Sequence, residues 1–244
     1  MPVGVPKVPT PEEAIKSEEG ETRDEDNKIW VDLYNRLYVQ RIVFLIGPLK
    51  MENANQVMSL TVYLTLKNQI KDLYLFINSL GGALMYGVAI NDLIRSVPEP
   101  VNTICLSKAA STACYILAGG EPSKRVAVPT ARVLMHQPLS ILCHGVAQEM
   151  DMESAEMIRL YKTVIDVYSE ITEKSWEVIQ QDILNPTFIS ADEAKAYGLI
   201  DVVLYEGTTA WKFPTMDPDR DSDTAKDNGP KWPFFLDESD NSKS

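Results

Sequence analysis

At 244 residues, 45% of them hydrophobic, the chain is long enough for one domain of ordinary size with a sizeable core. A net charge of −12 without a visible basic patch argues against nucleic-acid binding, which needs phosphate neutralisation. No apolar run reaches the ~18 residues of a membrane-spanning helix. The acidity is concentrated at the ends, −5 over residues 1–27 and −4 over residues 205–244.

Residues 1–27 read as an N-terminal segment whose polar, acidic stretch from residue 8 is expected to be flexible. It has neither the apolar centre of a secretory signal nor the Arg- and Ser-rich, acid-poor character of a transit peptide. Residues 28–204 carry the pattern of a folded domain. A short apolar run over 42–46 is followed by Gly47-Pro48 and predicts a strand. Val57, Leu60 and Leu64 lie at helical spacing within 52–66. Residues 73–77 are apolar on both faces, as a buried parallel strand should be, and run into the turn Asn78-Ser79-Leu80-Gly81-Gly82. Val88, Ile90 and Ile94 mark a helix that stops before Pro98 and Pro100. A strand over 101–105 precedes a helix of small residues over 109–117, closed by Gly119-Gly120. Strands follow at 126–128 and 132–135. A long helix over about 146–173 and a shorter one over 176–181, with Ser175 at its start, complete the domain. Repeated strand–helix–strand units imply right-handed crossovers and a mostly parallel α/β sheet. Residues 205–244 read as an acidic, disordered extension.

Three cysteines, Cys105, Cys114 and Cys143, form no CxxC or metal spacing. Cys105 and Cys114 stand in apolar surroundings and are expected to be small buried residues. A reducing compartment fits.

Acyl-transfer chemistry needs a nucleophile, a base within reach and N–H donors for an oxyanion. The chain has two histidines, so candidates for the base are few. Ser111 follows a strand at the start of a helix, where free N–H groups and the helix dipole favour developing negative charge. A plain N-cap serine occupies the same kind of position. His136 leaves a strand end beside Gln137-Pro138, as either a rigidly held base or a hydrogen-bonded structural histidine. His144 sits in a less regular stretch. The Gly81-Gly82 turn permits close backbone approach, for a bound carbonyl or for tight turning alone.

In order and spacing these signals resemble one family. WVDLYNRL (30–37), DLYLFINSLGG (72–82), TICLSKAAS (103–111), RVLMHQPL (132–139) and FISADEAKAYGLID (188–201) are similar to segments of the Clp protease proteolytic subunits. The divergent plastid-encoded form, with its opening MPVGVPKVP, is the nearest in pattern. The resemblance implies the crotonase-like ClpP spiral of ββα units, with a mostly parallel sheet and a helix–strand handle near residues 146–173. It implies an ATP-dependent serine endopeptidase in which Ser111 is the nucleophile and His136 the general base. The backbone N–H groups of Gly82 and Thr112 fall on the oxyanion donors. Seven-membered rings would stack in pairs, and a Clp ATPase chaperone would feed them unfolded protein. The chloroplast stroma is the implied compartment, with a bacterial cytoplasm as the alternative. No metal or organic cofactor is implied. ATP would be consumed by the chaperone, because no GxxxxGK[ST] loop occurs here.

The chain departs from the family at several points. Leu80 replaces the proline of a Ser-Pro-Gly-Gly turn, and Thr112-Ala113 replaces Met-Gly or Met-Ala. The stretch 140–149 is longer than the bacterial form. At the position of the third triad member, two residues before Phe188, stands Pro186, which has no carboxylate to orient an imidazole. Asp182 and Asn185 are the nearby substitutes. A structural ring subunit without catalysis is therefore the second reading. A crotonase-type acyl-CoA enzyme is a third, although it has no need of Ser111 and His136 together.

Overall fold

The computed structural model describes residues 5–9, 30–67, 70–137, 147–212 and 214. In chain order the elements are β1 (Lys7–Pro9), β2 (Trp30–Asp32), α1 (Leu33–Val39), β3 (Ile42–Ile46), α2 (Met51–Lys67), β4 (Leu73–Ser79), α3 (Leu84–Ser96) and β5 (Val101–Ala110). There follow α4 (Thr112–Ala118), β6 (Arg125–Ala127), β7 (Arg132–Leu134), α5 (Ala147–Thr172), α6 (Trp176–Leu184), β8 (Ile189–Ser190), α7 (Ala191–Tyr197) and β9 (Val202–Val203). The main sheet runs β3-β4-β5-β6-β9, with β7 paired to β5 and β8 to β7. Within it only the β7–β8 pairing is antiparallel. The mostly parallel α/β architecture expected from the alternating pattern is the one observed.

Side-chain alternation along the strands splits the interior in two. Val43 and Leu45, then Leu73, Leu75 and Ile77, then Val101 and Cys105, join the large core beneath α2, α3, α4 and α5. Their neighbours Phe76, Ile104 and Val126 face the other way and gather with Val202 and Trp211. This two-sided burial explains why β4 reads as a continuous apolar run. Trp211 lies beyond residue 205, where the acidic extension was expected to begin. It donates its indole N–H to Asn102 Oδ1 at 2.9 Å and meets Tyr74 edge-on. The stretches 10–29 and 215–244, and the strand expected before α5, lie outside the described residues.

Cys105 and Cys114 are buried as expected, while Cys143 lies outside the described residues. Burial pushes both thiols from an ordinary 9.0 up to about 12. Native-state alkylation at pH 8 should therefore leave both unmodified, and unfolding in urea should expose both, as read by peptide mass spectrometry. The unfolded chain ionises these thiols first. Stability from this source is complete below pH ~8.5 and is lost as pH rises toward about 12.

The opposite ends of the strands differ in chemistry. At the N-terminal ends, the buried Arg41 guanidinium donates to Leu64 O at 2.7 Å, Asp72 O at 3.2 Å and Glu99 Oε1 at 2.9 Å. Those bonds tie the residue before β3 to the end of α2, to Asp72 ahead of β4 and to Glu99 ahead of β5. The C-terminal ends of β4, β5 and β7 carry the residues that the sequence singles out.

Candidate active site

β5 extends through Ala110, past the expected end at residue 105, because Lys108, Ala109 and Ala110 pair with Arg132, Val133 and Leu134 of β7. The ladder continues one step further, with the Ser111 N–H donating to Leu134 O at 2.9 Å. The chain then turns sharply into α4. Ala109 and Ala110, expected in the helix, are strand residues, and the helix begins at Thr112.

Ser111 is the hinge of this turn. Its φ of 54° and ψ of −126° are strained for a residue with a side chain. Its carbonyl accepts from the N–H groups of Cys114 and Tyr115 and so starts the helix. Its side chain, however, makes no capping hydrogen bond. Ser111 is thus the N-cap of α4 by position, while its hydroxyl does no capping. A half-buried hydroxyl on a strained strand-to-helix elbow is held out from the backbone, as a nucleophile requires. Because α4 is buried along its whole length, the elbow is backed by packed core.

His136 lies two residues past the end of β7 and is half-buried. Register sets Ala110 beside Leu134, so Ser111 and His136 leave neighbouring ends of two parallel strands. Such strands run about 4.8 Å apart. The turn after β4 arrives from the other side of β5. Ser79 pairs with Ala109, Gly81 takes a φ of +84°, and Gly82 bridges in parallel to Leu49. A Cβ on Gly82 would stand 2.1 Å from the Leu49 carbonyl oxygen, so only glycine fits that approach. The Gly82 N–H points at Thr112 and donates to its Oγ1 at 2.9 Å. The Thr112 N–H belongs to the first turn of α4, where N–H groups lack intrahelical acceptors. The fold thus brings Gly82, Ser111, Thr112 and His136 to one end of the sheet, where open α/β sheets place their ligands.

The antiparallel pairing of β7 with β8 sets Arg132 beside Ser190 and Val133 beside Ile189. Continued toward His136, that register arrives at Pro186. Both substitutes for the missing carboxylate have partners elsewhere. Asp182 Oδ2 accepts from the Tyr197 hydroxyl at 2.5 Å, and burial, with this hydrogen bond adding to it, pushes the Tyr197 pKa up. The Asn185 side chain donates to Gln181 O at 3.0 Å, closing α6. Among the described residues no hydrogen bond to His136 is formed by either.

Two features of this site escape sequence reading. One is the β7–β8 pairing, whose two-residue strand has no apolar run to announce it. The other is the bond from Gly82 to the Thr112 side chain, since the two positions lie 30 residues apart. Among the described residues no group of three His, Cys, Asp or Glu side chains is gathered for a metal, and no helix is long and apolar enough to cross a membrane.

The family model described as "Clp protease" matches residues 24–207. The chain is similar to the ATP-dependent Clp protease proteolytic subunit of Panax ginseng, 43% identical over 206 residues, covering 84% of this chain and 100% of that protein. The protein of the same name from Cucumis sativus is 45% identical over 203 residues, covering 83% of this chain and 99% of its own length. The one from Adiantum capillus-veneris is 41% identical over 209 residues, covering 86% and 100%. With a family match across the folded domain and relatives of this identity covered end to end, the chain belongs to the Clp protease family, as a proteolytic subunit of the ATP-dependent endopeptidase.

Proposed function

We propose that Ser111 and His136 hydrolyse the peptide bonds of unfolded protein, with the Gly82 and Thr112 N–H groups receiving the oxyanion. The observation that carries this reading is the Ser111 elbow, strained at φ 54° with its hydroxyl free of any capping bond. His136 takes the Ser111 proton as the hydroxyl attacks the substrate carbonyl. The two N–H groups stabilise the tetrahedral oxyanion. The imidazolium returns the proton to the leaving amine, and water, deprotonated by His136, then hydrolyses the acyl-enzyme. The exposed backbone at Gly82 and Ala83, ahead of α3, would pair with the extended substrate.

The chemistry uses protein groups and water only, with ATP spent by a partner chaperone. Membership of the family supports seven-membered rings stacked in pairs, other proteolytic subunits within them, and a Clp ATPase docked outside. That the similar proteins come from plants supports the chloroplast stroma.

Pro186, which has no carboxylate to offer His136, supports a second reading, a ring subunit that assembles without cutting. One experiment separates the two. Assembled rings are incubated with a serine-directed fluorophosphonate, with Ser111→Ala rings as control. Labelling at Ser111 that vanishes in the control is expected. Intact rings that do not label, beside an ordinary family member that does, would leave only the structural reading.

A further inference from the structure

The N–H of Gly82, one of the two proposed oxyanion donors, is already in use. It donates to Thr112 Oγ1 at 2.9 Å, and that hydroxyl lies 3.4 Å from the Gly82 carbonyl oxygen. An N–H has one hydrogen to give. While it is held by Thr112 it is not free for a substrate oxyanion.

The surroundings hold the hydroxyl in place. Thr112 is only 3% exposed. Its Cβ packs so closely on Gly87 that a Cβ there would come within 2.8 Å of it, and a Cβ on Gly81 would come within 2.8 Å of Oγ1. A β-branched side chain has few rotamers to begin with. Swinging Oγ1 away from Gly82 therefore requires the turn after β4, or the start of α4, to yield.

We propose that the Thr112 side chain is a latch on the oxyanion site. Its hydroxyl occupies the Gly82 N–H at rest and must release it as the tetrahedral centre forms. Thr112 would then act in two opposing ways, its backbone N–H supplying one donor and its side chain withholding the other. The latch holds the resting subunit at low reactivity, and a bound substrate strand that shifts the Gly82 turn would open it. This rests on the assignment of Ser111 and the Gly82 N–H to the reaction.

The test compares Thr112→Ala, which removes the hydroxyl, with Thr112→Ser, which keeps it and loses only the methyl group. Fluorophosphonate labelling of assembled rings gives the rate at Ser111, and a short fluorogenic peptide gives kcat and KM. Exchanging one net hydrogen bond corresponds to about 2- to 10-fold in rate. Thr112→Ala is therefore expected to label about 2- to 10-fold faster than wild type, with the gain in kcat and KM little changed. Thr112→Ser should label more slowly than Thr112→Ala. Loosened packing would give the two variants the same behaviour, since both lose the methyl contact on Gly87. Labelling of Thr112→Ala alone, with wild type silent, would support the latch most strongly. Wild-type labelling as fast as that of Thr112→Ala, or faster, would overturn the latch and leave Ser111 as nucleophile. Silence from all three proteins in intact rings would overturn both the latch and the nucleophile.

Discussion

Replacing Pro186 by aspartate is expected to raise the peptidase activity of this subunit by about 10²- to 10⁴-fold. The upper figure is the reverse of what a serine protease loses with its triad aspartate, on the order of 10⁴. Two independent lines converge on this position. Counting within the FISADEA segment sets residue 186 where the family carries its carboxylate. The β7–β8 register, read from Arg132–Ser190 and Val133–Ile189, arrives at the same residue opposite His136. Aspartate there would fix the imidazole tautomer and stabilise the imidazolium as Ser111 is acylated. Proline can do neither. Residue 186 is exposed and lies outside helix and strand, so the exchange disturbs no core packing. The measurement is kcat on a short fluorogenic peptide with assembled rings, Pro186→Asp beside wild type. An unchanged kcat would mean that His136 is already oriented by another group. Asp182 and Asn185 are the candidates, and each would have to bring a side-chain oxygen to the imidazole while Asp182 Oδ2 accepts from Tyr197 and the Asn185 amide donates to Gln181 O.

Gly82→Ala is expected to lower kcat by about 10²- to 10³-fold, the loss seen when one oxyanion donor is removed. The cause is steric. The added Cβ would fall 2.1 Å from Leu49 O, a backbone atom held in its own right by the Leu49 N–H to Gly81 O bond of 2.9 Å. The turn must therefore move, carrying the Gly82 N–H off its line. Ring assembly, followed by size-exclusion chromatography, separates this effect from misfolding. A loss of less than about threefold in assembled rings would show that the reaction does not use this N–H. Gly82→Ala and Thr112→Ala are thus expected to move the rate in opposite directions, although both break the same hydrogen bond.

Much of the architecture was legible in the sequence because its signals are local. An apolar run announced β3, a run apolar on both faces announced β4, and helical spacing announced α2 and α5 to within a residue, whereas α3, marked from Val88, begins at Leu84. Expected strands at 126–128 and 132–135 correspond to β6 and β7. The segment around Ser111 was read less well. A run of small residues, Ala109 and Ala110, has helix propensity, yet both residues lie in β5. Their backbone groups pair with β7, and that non-local ladder outweighs a preference of a few tenths of a kcal/mol per residue.

By itself the sequence determined which residue types could do the chemistry. Two histidines, Ser111 at a strand-to-helix junction and the Gly81-Gly82 pair after a buried strand left little choice, and five motifs in order identified the family. Only the tertiary structure decided how those residues stand to one another. It set the Ser111 dihedrals, paired β8 antiparallel with β7 in a register that, continued past its two pairs, leads from His136 to Pro186, and brought the Thr112 hydroxyl to the Gly82 N–H. Each of these depends on pairing between segments some 20 to 60 residues apart, fixed by strand register and close packing across the sheet, and register is not written in any one segment.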